Sequence, residues 1–164
     1  MASSFYNNSQ YIDFDSVLAM DDQGMVSMFQ ALMASGLAGF LGCLTVIYEA
    51  ALVDFFENAS VREGVIISKV AGQLVEISEE WFAESFDLPV DGLGDLSKIP
   101  KDLIFYARSI VSLSGSFNAI TVEKFSMVTA VVCGVRMNWA SILFNIFKKM
   151  VTPGSKQAKG FAVL

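Results

Sequence analysis

Glu79, Glu80 and Glu84 lie within one short segment, and the four-residue step from Glu80 to Glu84 would put both carboxylates on one face of a helix. Such a group could bind a metal ion or divide acid and base roles between two carboxylates. Carboxylates that open a short helix more often form a solvated face favoured by the helix dipole, and that reading is preferred here. Asp13 and Asp15 fall in a polar amino-terminal stretch. Gly36, Gly39 and Gly42 superficially resemble a phosphate-cradling loop, but no Lys-Ser/Thr pair follows and the element before them reads as helical. A connector is expected there instead. Cys43 and Cys133 are ninety residues apart, and the chain has no His to activate a thiol or ligate a metal. Neither zinc site nor disulfide framework is indicated, and both thiols are expected to be buried in a reducing compartment. The sequence therefore implies no catalytic residue, no metal site, no cofactor and no small-molecule substrate.

Charge distribution is more informative. Residues 1–123 hold all 17 acids against five bases, a net of −12, whereas six bases and no acid follow. Those six, Lys124, Arg136, Lys148, Lys149, Lys156 and Lys159, are the candidate nucleic-acid contacts, because such asymmetry can mark a surface that meets a phosphate backbone. The competing account is internal: Lys148 and Lys149 complement a helix C-terminus while the rest offset the acidic part of the same fold. The bases are spaced rather than clustered, so any nucleic-acid contact is expected to be weak.

The elements that must position these groups follow from periodicity and punctuation. Hydrophobic residues make up 54% of the 164 and charged residues 17%, enough to collapse into one core. Residues 1–20 read as a loosely ordered arm. Asp21 or Asp22 caps a first helix running to about Ser35, where Gly36 ends it. After a tight connector over 36–42, a second helix is expected from Leu44 to about Asn58. Val65-Ile66-Ile67 and Leu74-Val75-Glu76-Ile77, separated by a segment containing Ala71-Gly72, predict a hairpin over about 64–77. Ser78 caps a short helix through Phe86, and Pro100 opens another that ends near Ser114. Two more follow, about Thr121 to Val135 and Trp139 to Val151, the last capped by Asn138. The expected fold is α+β, mainly α: about six helices packed with one β-hairpin, a single helical domain over 21–152 and a frayed basic tail over 153–164.

No Lys or Arg precedes position 62, which is wrong for a secretory or organellar leader, so an intracellular location in nucleus or cytoplasm is expected. The uncharged stretch from Gln23 to Tyr48 is long enough to cross a bilayer and supports an alternative, a small helical membrane-associated protein. Met25, Phe29, Leu32 and Met33 nevertheless recur at three- and four-residue steps, the stripe of a helix docked on a protein core. Membrane insertion is therefore disfavoured.

The runs Ala51-Leu-Val-Asp-Phe-Phe-Glu-Asn-Ala59, Val61-Arg-Glu-Gly-Val-Ile-Ile67, Val75-Glu-Ile-Ser-Glu-Glu-Trp-Phe82 and Phe86-Asp-Leu-Pro89 occur in that order. With Asn138-Trp139, Ile142-Leu-Phe144 and Val151-Thr-Pro-Gly154, they make about residues 25–155 resemble the plant transposon protein domain, an uncharacterised family derived from transposable elements. These motifs are structural, so the resemblance implies no activity to transfer. A longer polar segment is expected between the helices ending near Leu113 and starting near Thr121, so Ser112-Leu-Ser-Gly-Ser-Phe117 reads as a shortened copy. The resulting expectation is a non-enzymatic, transposon-related domain acting through protein partners, self-association or weak nucleic-acid contacts.

Replacing Lys148, Lys149, Lys156 and Lys159 with Gln tests the nucleic-acid reading directly. Retention of the wild-type chain on immobilised DNA should be weak and steeply salt-dependent, and the variant should lose most of it and flatten the slope by about one unit per lost phosphate contact. No retention of the wild type at low salt would make the asymmetry internal compensation.

Overall fold

A computed structural model of the chain describes residues 5–7, 11–44, 46–111 and 121–152. Its strands are β1 (Phe5–Asn7), β2 (Val46–Tyr48), β3 (Ser60–Arg62), β4 (Val65–Val70) and β5 (Gln73–Ile77). Its α-helices are α1 (Phe14–Leu18), α2 (Gln23–Ala34), α3 (Ala38–Leu41), α4 (Glu49–Asn58), α5 (Glu79–Ser85), α6 (Lys101–Val111), α7 (Val122–Val132) and α8 (Trp139–Val151), with a 3-10 turn at Leu96–Lys98. The fold is mainly helical, as expected, but eight helices replace about six among the described residues and a three-stranded antiparallel sheet, β3-β4-β5, replaces the single hairpin.

Each difference has a local cause. Glu63 and Gly64 both take positive φ, 51° and 78°, so a second tight turn adds β3 to the hairpin expected at Ala71-Gly72. Val46-Ile47-Tyr48 pairs with Phe5–Asn7, so α4 starts at Glu49 rather than Leu44, as a β-branched and aromatic run permits. The arm expected over 1–20 contains β1 and α1, whose start is capped by the Asp13 carboxylate accepting from the Ser16 N–H. The connector after Gly36 contains one helical turn, α3. The expected end of the 101–111 helix near Ser114, the shortened segment over 112–117 and the tail over 153–164 lie outside the described residues.

Three helix starts follow the expected caps, and Thr121, expected as the first residue of its helix, is itself a cap. Asp22, Ser78, Thr121 and Asn138 each accept a backbone N–H from the first turn of α2, α5, α7 and α8. Helix ends share one device. In α2, α5 and α7 the chain passes into positive φ at Gly36, Asp87 and Gly134, and the next N–H reaches back five residues: Leu37 to Leu32 O, Leu88 to Ala83 O, Val135 to Ala130 O. Leu37 and Leu88 are thereby driven into the core.

That core is centred on α8. Ala140, Phe144, Phe147 and Val151 recur at helical spacing on one face, and Trp139 and Phe144 are fully buried. Phe82 of α5 meets Phe144 at a 5.5 Å centroid distance and Phe86 at 5.2 Å, while Phe147 stacks on Phe55 of α4. Helix α4 also grips the sheet: Ala71 N–H donates to the Asp54 carboxylate at 2.7 Å, and the Ser68 hydroxyl donates to Phe55 O at 2.6 Å. Helix α7 contacts both α2 and α6.

The segment 86–93 threads between these helices as a strap. Leu93 N–H donates to Arg136 O, Asn138 N–H to Leu93 O and Ala140 N–H to Pro89 O. Three glycines permit the approach: an added Cβ would stand 2.4 Å from Pro89 Cγ at Gly36, from Phe86 O at Gly39 and from Arg136 O at Gly92.

Gly92 and Gly64 separate crowding from conformational strain. Both have positive φ, but space around Gly64 is open. Gly64→Ala should cost about 1 kcal/mol and Gly92→Ala about 2 kcal/mol more, read from urea denaturation midpoints. Equal losses would mean that Arg136 does not press on Gly92.

Candidate functional site

The carboxy-terminal ends of α2 and α7 converge on a groove of about 670 Å³. Ala31, Ala34 and Ser35 form one wall, Val131, Val132 and Val135 the other, and Gly36, Pro89, Gly134 and Met137 complete the lining. The void exists because Ala31, Ala34 and Ser35 are small and because Gly134, just past α7, has nothing within 4 Å of where a Cβ would stand; at Gly36, just past α2, that position is taken by Pro89. Asp91 and Arg136 are its charged members, both exposed, and both are set by the strap through the Leu93–Arg136 backbone bond.

Outside the groove the apolar surface continues. On α2, Met28 stands one three-residue step before Ala31 of the wall and is 48% exposed, with Met25, 39% exposed, a further step back and turned away from Ala34. On α7, Val128 and Val132 are 37% and 38% exposed. Helix α2 carries no charged residue, and Val26 is its one buried side chain. It packs on α1 through an edge-to-face contact between Phe14 and Phe29, centroids 6.3 Å apart.

A second cleft, about 620 Å³, lies where the 3-10 turn, α7 and α8 meet. Leu96, Ile142 and Ile146 give it an apolar part, and Asp95, Glu123, Asn145 and Lys149 a mixed-charge one.

The candidate bases are not gathered onto one track. Lys124 stands in the first turn of α7 and Arg136 beyond its last, separated by a helix about 16 Å long. Lys148 holds its ammonium 5.4 Å from the Phe144 ring centroid, and Lys149 lines the second cleft with Asp95 and Glu123. Lys156 and Lys159 lie outside the described residues. Glu79 and Glu80 open α5, with Glu84 one turn on. Gly36 and Gly39 accommodate the strap rather than a phosphate, and Gly42 stands against Ala38 O. Cys43 and Cys133 are half-buried thiols not joined in a disulfide, and the Cys133 thiol faces Leu103 O at 3.8 Å. Among the described residues no group of three or more His, Cys, Asp and Glu is placed to hold a metal ion. The uncharged stretch is divided among α2, α3 and β2, and no helix among the described residues is long and apolar enough to cross a membrane. The groove was invisible to sequence reasoning; its signal was the set of small residues at two helix ends that periodicity had already located.

Two carboxylates are held below their ordinary value of 3.8. At Asp13 the leading cause is the Ser16 hydroxyl, then the Ser16 N–H; at Asp95 it is the Ser97 N–H, then the Ser97 hydroxyl. Depressed values mean that each ionised cap stabilises the fold fully above about 3.8 and loses that contribution as pH falls through the folded-state value. Ser16→Ala should move the Asp13 midpoint up towards 3.8, because it removes the leading cause, measured by carboxyl-carbon NMR titration. A midpoint left unmoved would contradict the bonding described.

Comparison with family models, with curated proteins and with solved structures gave no match to this chain.

Proposed function

We propose that the chain is a non-enzymatic, transposon-related domain, acting in the nucleus or cytoplasm, that docks an apolar helix of another protein in the groove between α2 and α7. The observation that carries this reading is continuity: the apolar walls of the groove, Ala31, Ala34, Val131 and Val132, stand one helical turn from exposed Met28 and Val128. An amphipathic helix laid in such a groove buries side chains at three- and four-residue spacing, the recurrent helix-in-groove mode. Methionine suits a surface that must adapt to its occupant, being unbranched and polarisable. The transposon assignment is supported by the ordered motifs between Ala51 and Pro89 and by Asn138-Trp139. Nucleic-acid contact through the candidate bases has weaker support, because Lys124, Arg136 and Lys149 sit in different surroundings.

Display-selected helical peptides provide the test. Binders selected on the immobilised chain should lose about tenfold in affinity on Ala34→Trp, which fills the groove from an exposed helix position, with circular dichroism unchanged. Binders indifferent to that change, or a selection that returns none, would overturn the reading.

A further inference from the structure

We infer that the groove's occupant is a basic amphipathic helix, an assignment that rests on the docking reading above and adds the partner's chemistry. The strip that receives it is uncharged, winding from Met25 and Met28 into the groove at Ala31 and Ala34. Its surroundings are acidic. No Lys or Arg occurs in the first 61 residues. Exposed Asp21 and Asp22 stand at the amino-terminal end of α2, and exposed Asp13 and Asp15 belong to the adjoining α1. At the far end Asp91 lines the groove, where the negative dipole ends of α2 and α7 also converge. Arg136 is the one base in the lining, and Asp91 offsets it.

An apolar strip with unopposed carboxylates at its amino-terminal end, and two helix carboxy-termini at the end where Asp91 and Arg136 cancel, is complementary to a helix bearing an apolar stripe flanked by Lys or Arg. The twelve residues of α2 set the length of the strip at about 18 Å, which a partner helix of roughly 12 to 14 residues would span. A second copy of the chain fits less well. In a twofold contact the same patch faces itself, so Asp21, Asp22 and Asp91 would meet a surface framed by like charges.

Two synthetic helical peptides of about 14 residues test this, one built of Leu and Lys at amphipathic spacing and one with Glu at every Lys position. Titrated into the full chain at low salt, the Leu/Lys peptide should bind about tenfold or more tighter than the Leu/Glu peptide and weaken at about 0.5 M salt. The double variant Met25→Gln, Met28→Gln alters exposed side chains of similar shape, so its melting curve should match the wild type, yet Leu/Lys binding should fall about tenfold. Asp21→Asn with Asp91→Asn should narrow the preference between the peptides. Equal binding of the two peptides would overturn the basic partner while leaving the docking reading intact. Leu/Lys binding unmoved by the Met variant would place the contact elsewhere on the acidic surface and overturn the inference. Self-association of the chain alone, abolished by the same Met variant, would make a second copy the occupant and overturn it. Failure of both peptides would also overturn it, and binders sensitive to Ala34→Trp would then still uphold the groove as a docking site.

Discussion

Segment 86–93 lies so close to its neighbours that three positions, Gly36, Gly39 and Gly92, tolerate no side chain. Through this strap the two halves of the helical layer are tied together. Pro89 presses on the end of α2, Phe86 O on α3, and Pro89 O and Leu93 bond the start of α8. A buried backbone needs partners for its polar groups, and here the partners are other backbone groups rather than side chains. The fixed positions of α2 and α7 relative to α8 follow from that bonding, and so does the alignment of Asp91 with Arg136.

The groove is a by-product of how the helices stop. A helix that ends through a glycine in the left-handed region turns sharply and buries the following residue, as α2 does with Leu37. Where α2 and α7 end side by side, the open space at Gly134 meets the short side chains of Ala31, Ala34 and Ser35. Packing density elsewhere is high, with Phe82 touching Phe40, Phe86, Phe144 and Phe147. The contrast between a crowded aromatic centre and an unfilled margin locates the surface where this fold accepts something from outside.

How much of this was legible depended on range. Asp22, Ser78 and Asn138 announced helix starts because a cap acts on residues two or three positions away. The β4–β5 turn was legible for the same reason, Ala71-Gly72 separating two β-branched runs. Glu63-Gly64 was not, because nothing in a glutamate advertises a positive φ; the pairing of Val61 with Ile66 holds it there. Strand β2 was read as helix because its partner, β1, lies some forty residues away. The groove and the dispersal of the bases were beyond reach altogether. Both depend on which helix ends meet, and that is decided by the strap and the aromatic core, not by any local run.

The strap's chemistry has a consequence for how such a chain can drift. Its contacts through Phe86 O, Pro89 O and the Leu93 amide survive a change of side chain at exposed positions such as Val90. The glycines at its contacts, Gly92 within it and Gly36 and Gly39 against it, have no such latitude. Neutral divergence would therefore erase most of the strap's letters first and leave an imprint of single glycines: one in the strap, one just past α2 and one inside α3. A relative separated by long descent would be betrayed by those vacancies sooner than by any continuous stretch of shared sequence.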